Sequence, residues 1–180
     1  MALAKAALEG MQRQTDRAQS KNVMDIPPLE NGDHLSRVEF ERRYHAMPPH
    51  IKAELIEVVV YMSSPVRFRS HGKPHRQAVT LLGVYADTTP GVECVDNATF
   101  RLDPANEPQP DVALFIESAA GGQARVSTDD YLESAPELII EVAASTAAID
   151  LHTKLDVYRL NGVREYIVWR VAEPAFDWFA

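Results

Sequence analysis

The chain has a single cysteine, Cys94, among its 180 residues. One thiol cannot form an intramolecular disulfide, and a Cys-rich zinc site needs several, so both a secreted disulfide framework and such a zinc site are excluded. A run of about 18 apolar residues, which a membrane-spanning helix needs, is also missing, and the polar N-terminus lacks the apolar core of a signal peptide. We therefore expect a cytoplasmic protein that does not associate with membranes.

Positive charge is also in deficit, with 18 Lys and Arg against 26 Asp and Glu and a formal net charge of −8. A surface that mainly coats nucleic acid needs clustered Lys and Arg, so the balance argues against that class of protein. An acidic metal site that acts on phosphate stays open, because the metal then supplies the positive charge.

Several catalytic signatures are missing as well. The sequence contains no P-loop, no dinucleotide glycine fingerprint and no Gly-x-Ser-x-Gly elbow. Cys94 lies in a predicted strand without a nearby histidine, which disfavours a cysteine nucleophile. A nucleophilic hydrolase is therefore the least supported class of enzyme.

Apolar residues make up 46% of the chain, enough for one compact domain of this length. Pro27, Pro28 and Gly32 would stop a helix, so we expect residues 1–33 to be a flexible arm and linker and residues 34–180 to be the domain. Ser36 and Glu39 have the spacing of a capping box and predict a helix from Arg37 to Ala46.

Strands and helices mix along the rest of the chain, which favours an α/β (α+β) fold with helices on the faces of a sheet. The runs at Val112–Ile116 and Leu138–Val142 are apolar and too short for helices, so they predict central strands. The further predicted strands are Glu54–Met62 (one, or two around Glu57), Val92–Val95, Ala98–Leu102 and Glu165–Val171, and the further helices are His75–Tyr85, a short one at Asp129–Ser134, and Ala147–Leu160.

Two carboxylates belong to the predicted central strands. Asp111 opens the first, after Pro110, and Glu141 lies near the end of the second, so both can reach one rim of the sheet. Each has a plain structural explanation, Asp111 as a turn residue and Glu141 as an edge or solvent-facing position. A glutamate among Leu, Ile and Val is nevertheless costly to bury unless a cation, a hydrogen-bond donor or water accompanies it.

The next predicted helix places Asp150, Lys154 and Tyr158 four residues apart on one stripe. Asp150 and Lys154 could form an exposed ion pair, which contributes little free energy. If the stripe instead faces the rim of the sheet, Lys154 is a cation beside Asp111 and Glu141. In the second arrangement the two carboxylates provide oxygen ligands of the kind that a hard divalent metal prefers, and the lysine stabilises negative charge on a phosphate.

These residues occur in an order that resembles the Uma-two (Uma2) family of the restriction-endonuclease-like superfamily, whose site has the pattern PD-(D/E)XK. The resemblance covers the chain from about Ser36 to its end, and its motifs are Pro110-Asp111-Val112, the run 137–142 (ELIIEV), the Asp150, Lys154 and Tyr158 stripe, and the run 162–169 (GVREYIVW). It implies a mixed central β-sheet flanked by helices. Family members continue beyond the EYIVW strand, so the domain is expected to be shortened at its C-terminus.

The resemblance also implies a site. Asp111 and Glu141 would be ligands of Mg²⁺ or Mn²⁺, and the backbone carbonyl of Val142 would be a third ligand. The superfamily lysine stands two residues after the second carboxylate, where this chain has Ala143, so its match is Lys154 on the following helix. His75, and less directly Glu57, would be accessory groups.

The implied function is metal-dependent endonuclease activity on nucleic acid, with DNA as substrate and a homodimer as the assembly. Its local support is a basic loop that could meet the nucleic-acid backbone, although a solvated loop explains the same residues: Arg67, Arg69, His71, Lys73, His75 and Arg76. The alternative is a catalytically silent module that keeps the nuclease fold and serves as an interaction or scaffold surface. A nuclease requires Asp111, Glu141 and Lys154 to converge, whereas a silent module does not.

Overall fold

The computed structural model describes residues 26–180, so most of the predicted N-terminal arm lies outside the described residues. The helices are α1 Arg37–Tyr44, a π-helix Phe68–Gly72, α2 Lys73–Asp87, a 3₁₀-helix Ser118–Ala120, α3 Ala147–Ile149, a π-helix Asp150–Lys154 and α4 Leu155–Leu160. The strands are β1 Ala53–Ile56, β2 Val59–Met62, β3 Val92–Asp96, β4 Phe100–Arg101, β5 Val112–Ile116, β6 Arg125–Val126, β7 Leu132–Glu133, β8 Leu138–Ala143, β9 Glu165–Arg170 and β10 Ala175–Phe179. None of the helices in this part of the chain is long and apolar enough to cross a membrane.

A mixed five-stranded sheet in the order β10-β9-β8-β5-β3 forms the centre of the fold. The β8 and β9 strands run parallel and the other neighbours run antiparallel. The parallel pair is joined through residues 147–160, a helical crossover of the kind that parallel strands require. Both predicted apolar runs, at β5 and β8, occupy inner positions of this sheet.

The two faces of the sheet pack on different partners because side chains alternate along a strand. On one face, Val112, Leu114 and Ile140 pack against Ala78 and Leu82 of α2. On the opposite face the core includes the strand residues Ala113, Phe115 and Ile139 and the α4 residues Val157 and Tyr158. Asp111 and Glu141 have the same strand parity as Ala113 and Ile139, so they belong to the face that residues 147–160 cover.

The segment Glu54–Met62 forms a hairpin of two strands, β1 and β2, around a turn at Glu57 and Val58. Both turn residues have positive φ, 50° and 60°. The hairpin packs on α1, where Leu55 and Val60 are buried with Phe40. The side chain of Ser36 accepts a hydrogen bond from the backbone N–H of Glu39, as the capping-box spacing predicts.

The helix predicted at residues 129–134 is wrong. This segment instead contains the short strand β7, which pairs antiparallel with β6 and parallel with β4. Positive φ angles at Asp130 (67°) and Ser134 (70°) break any helix there, and Leu132 between them is buried. The local polar composition did not reveal this small sheet, because its pairing partner β4 is about 30 residues away in the sequence.

Candidate active site

The register of β5 and β8 brings Asp111 and Glu141 together. Val112 pairs with Ile140, so the next position out along the antiparallel ladder places Asp111 opposite Glu141. The backbone N–H of Asp111 donates to Glu141 Oε2 at 3.3 Å. The backbone N–H of Val142 donates in turn to Asp111 Oδ2 at 2.7 Å. Cross-strand pairing alone therefore fixes both carboxylates at one point of the sheet.

Lys154 reaches the same point from the helical crossover, residues 147–160, that covers this face of the sheet. Its Nζ lies 2.9 Å from Glu141 Oε1, 2.8 Å from Glu54 Oε2 and 4.0 Å from Asp150 Oδ1. The Lys154 side chain is only 6% exposed. The alternative of an exposed Asp150–Lys154 ion pair is therefore wrong, because both residues are buried and the lysine is shared with two further carboxylates.

Tyr158 completes the contacts of the central glutamate. Its hydroxyl donates to Glu141 Oε1 at 2.9 Å, so this oxygen accepts hydrogen bonds from both Tyr158 and Lys154. Lys154 lies in the π-helical turn and Tyr158 in α4, four residues later, as the predicted stripe requires. Both donors thus hold one oxygen of Glu141, while its other oxygen faces Asp111.

Two histidines contact Asp111 from the start of α2 and the preceding π-helix. His71 Nε2 lies 3.0 Å from Asp111 Oδ1. His75 Nε2 lies 2.9 Å from the backbone oxygen of Asp111 and 3.0 Å from Asp96 Oδ1. The predicted accessory residue His75 therefore adjoins the site through the Asp111 peptide, and the histidine that contacts the carboxylate is His71.

The sequence did not assign Glu54 or His71 to the site, and it singled out His71 only as a member of the basic loop. Glu54 stands in β1 beside the predicted accessory residue Glu57, which is exposed in the hairpin turn and whose N–H donates to Asn106. A glutamate inside the apolar run ELIEVVV was the available signal for Glu54, and the four-residue spacing of His71 and His75 was the signal for His71.

We call Glu54, Asp111, Glu141 and Asp150 the acid cluster. Burial raises the pKa of Glu141 to about 8; the Lys154 ammonium opposes this shift, and the charges of Asp111 and Asp150 add to it. Burial likewise raises the pKa of Asp150 to about 6, again against the effect of Lys154. One ammonium thus does not neutralise the cluster, and protons compensate for the missing positive charge.

Asp111 behaves differently from its neighbours. Burial would raise its pKa, but the hydrogen bond and the charge of His71, together with the N–H of Val142, hold the pKa of Asp111 below its ordinary value. The same contact with Asp111 raises the pKa of His71. Burial would lower the pKa of Lys154, yet Glu141, Glu54 and Asp150 together raise it well above its ordinary value. The lysine is therefore a permanent cation.

The donor chemistry fits a hard divalent cation, although within residues 26–180 no group of three His, Cys, Asp or Glu side chains is already arranged as a metal site. Carboxylate oxygens of Asp111 and Glu141 are the ligands that Mg²⁺ and Mn²⁺ prefer. Asp150 Oδ2 is buried without a hydrogen-bond partner among the described residues. This surplus of buried negative charge is what a bound cation would neutralise.

Comparisons with known proteins identify a family and a similar fold. The family model described as "Uma2: Putative restriction endonuclease" matches residues 38–180. A crystal structure described as "a putative nuclease belonging to DUF820 from Anabaena variabilis" is similar in fold, with a TM-score of 0.56 and 14% identity over 77% of this chain and 82% of that chain. No curated protein matches the sequence significantly. The expected mixed sheet flanked by helices is confirmed.

Proposed function

Because the chain belongs to the Uma2 family, whose description is "Putative restriction endonuclease", we propose that it is a metal-dependent endonuclease that hydrolyses phosphodiester bonds in DNA. One observation carries the proposal: Asp111, Glu141 and Lys154 come from separate parts of the chain and meet at one point. The backbone N–H of Asp111 lies 3.3 Å from Glu141 Oε2, and Lys154 Nζ lies 2.9 Å from Glu141 Oε1. Residues buried only for stability have no need to concentrate three carboxylates around one lysine and to place a fourth, Asp111, next to Glu141, since a buried ion pair is rarely better than apolar packing.

Asp111 and Glu141 would hold the metal, with the backbone carbonyl of Val142 as a third ligand. Mg²⁺ or Mn²⁺ at this position supplies Lewis-acid polarisation of the phosphate and a water of lowered pKa. The fit rests on the acid cluster itself, because it is short of positive charge and contains a buried carboxylate oxygen without a partner, Asp150 Oδ2.

The chain's own residues prepare this centre. Lys154 and Tyr158 hold Oε1 of Glu141, which fixes the carboxylate and directs Oε2 toward Asp111. His71 and the Val142 N–H hold the carboxylate of Asp111. Preorganised charge of this kind lowers the cost of reorganisation during the reaction. Lys154 also offsets negative charge that develops near the acid cluster.

The assembly and the surroundings of the domain also belong to this proposal. We propose a cytoplasmic homodimer in which residues 34–180 form the nuclease domain after an N-terminal arm and linker. The edge strand β10 supports a second copy as neighbour, because it exposes Phe176 and Trp178, at 62% and 67%, on an outer edge of the sheet. Two such sites would address the two strands of a duplex.

The test is cleavage of a supercoiled plasmid and of RNA in the presence of Mg²⁺ or of EDTA. The wild type is expected to nick the plasmid only with Mg²⁺, and Asp111→Asn and Glu141→Gln to be inactive but folded, because each keeps the shape of the side chain and removes one buried carboxylate charge. Glu93→Ala, which changes an exposed glutamate on β3, is the matched control and should retain activity. Nicking that persists in both site variants would refute the assignment, and inactivity of a folded wild type on both substrates would favour the silent module.

A further inference from the structure

A segment of the chain around the acid cluster is free of negative charge. Residues 58–86 contain no Asp or Glu, although the whole chain has 26 of them. The same segment contains six basic side chains, Arg67, Arg69, His71, Lys73, His75 and Arg76. In a protein of net charge −8, this is a local reversal of sign.

Four of these six basic side chains, Arg67, Arg69, Lys73 and Arg76, are exposed and form no ion pair among the described residues. No carboxylate of residues 26–180 lies within salt-bridge distance of them. Elsewhere in the fold, arginines pair with at least one carboxylate each, namely Arg37, Arg42, Arg43 and Arg101. Four unpaired cations on one short segment keep their full attraction for a polyanion.

An exposed aromatic ring stands between two of these arginines. Phe68 is 73% exposed and its neighbour Val66 is 67% exposed. A solvated loop has no use for an apolar ring in this position, because exposed apolar area costs free energy. Alternation of Arg, Phe and Arg instead combines phosphate ligands with a flat surface for stacking.

The contacts of His71 fix this segment against the acid cluster. Phe68 and His71 belong to the same π-helix, and His71 contacts the Asp111 carboxylate at 3.0 Å. Residues three apart in a π-helix lie within one turn, because its hydrogen bonds join residues five apart. Phe68 therefore lies within one helical turn of a residue that contacts a metal-ligand candidate.

We propose that Arg67, Phe68 and Arg69 bind a nucleic-acid strand whose bases are unpaired at the cleavage point, with Phe68 stacked on one base and the two arginines on flanking phosphates. The inference rests on the proposed nuclease function for its substrate class and adds a preference for single-stranded or distorted sites. A paired base inside a duplex has no free face for Phe68, whereas an unpaired base of any identity does. The arginines contribute affinity that depends on salt and not on sequence.

The test measures binding of fluorescent 20-nucleotide single-stranded DNA and of the matching duplex by anisotropy, in EDTA so that no cleavage occurs. Phe68→Ala is expected to weaken single-strand binding about 5- to 100-fold, and duplex binding by less than about 3-fold. Phe68→Leu should behave like Phe68→Ala, since leucine keeps the apolar bulk but cannot stack. Tyr85→Ala, which removes another exposed aromatic ring in the last turn of α2, is the matched control and should bind normally.

The arginines are tested by the salt dependence of the same affinity. Replacing Arg67 and Arg69 together by Gln should lower the slope of log K against log salt by about 1.4 for single strands, or about 0.7 for each lost phosphate contact. An unchanged slope, or equal losses for Phe68→Ala and Tyr85→Ala, would overturn the inference.

Binding and cleavage fail separately. If the wild type cleaves plasmid with Mg²⁺ but Phe68→Ala binds and cleaves like the wild type, the inference is wrong and the proposed function stands. If the wild type binds single strands through Phe68 but never cleaves, the surface is right and the nuclease function is wrong. Binding to phosphatidylserine vesicles without binding to either oligonucleotide would refute the choice of nucleic acid as partner.

Discussion

Replacing Lys154 by Met tests how the acid cluster is held together. The substitution keeps most of the apolar stem of the side chain but removes an ammonium that lies 2.8 Å from Glu54, 2.9 Å from Glu141 and 4.0 Å from Asp150. Removing one partner of a buried ion pair costs about 3–5 kcal/mol, because the remaining charge is left without compensation. We therefore expect the free energy of unfolding to fall by about this amount at neutral pH.

The loss should depend on pH, with a sign that follows from Glu141. Its native pKa of about 8 exceeds the ordinary value of 4.5, so the folded state disfavours the ionised form and stability falls as pH rises from about 4.5 through 8. Lys154 opposes this shift in the wild type, so its removal raises the native pKa further. Near pH 5 the carboxyl groups take up protons and the loss should shrink below about 2 kcal/mol.

Urea denaturation followed by circular dichroism at pH 5, 7 and 9, in EDTA, measures the effect. Lys52→Met, a substitution of an exposed lysine next to β1, is the matched control and should change stability by less than about 0.5 kcal/mol. A loss below about 1 kcal/mol at pH 9, or a loss that is the same at pH 5 and pH 9, would refute the reasoning.

Two further predictions concern parts of the fold away from the site. Glu107 is fully buried, and this burial, together with the nearby Glu41, raises the pKa of Glu107 from 4.5 to about 8. The free energy of unfolding of Glu107→Gln should therefore equal that of the wild type near pH 4 and exceed it by up to about 5 kcal/mol above pH 8. Denaturation at a series of pH values measures the difference. A Gln variant that is less stable at pH 9 would contradict this. Gly122→Ala should lower the free energy of unfolding by several kcal/mol, because the new Cβ would lie 1.7 Å from the backbone oxygen of Ile116. Gly83→Ala, inside α2, meets no atom within 4 Å and should raise the free energy of unfolding by up to about 1 kcal/mol. Thermal denaturation of both variants measures these changes. Equal melting temperatures for the two variants would be incompatible with the packing around Gly122.

The central strands, and the reach of Asp111 and Glu141 to one rim of the sheet, follow from local sequence. Each carboxylate is attached to a short apolar run of the length that favours a buried strand, whereas the antiparallel register that pairs the two residues is seen only in the structure. The helical spacing of Lys154 and Tyr158 predicts that they share one face of a helix, and the family resemblance implies that this face lies against the carboxylates of the sheet. Local pattern and resemblance together thus predicted the centre of the site.

The rest of the site depends on tertiary packing. Glu54 joins Lys154 only because the β1–β2 hairpin packs over the crossover helix, and no local pattern encodes that contact. His71 reaches Asp111 through a π-helical turn that adds no distinctive sequence signal. The local sequence of residues 129–134 predicts a helix where the chain forms β7, because the pairing of β7 with β4 is long-range. Contacts distant in sequence are thus what the residue pattern alone did not supply.

Calorimetric titration of Mn²⁺ into the wild type and into Glu141→Gln tests the central claim most directly. The account predicts binding by the wild type that disappears in Glu141→Gln and persists in Glu93→Gln, in which an exposed glutamate of β3 is changed. Glu141→Gln keeps the shape of the side chain and its contacts with Lys154 and Tyr158, so a loss of binding reports the missing charge and not misfolding. Wild-type affinity that survives in Glu141→Gln, or no binding by a folded wild type, would contradict a metal centre built on Asp111 and Glu141.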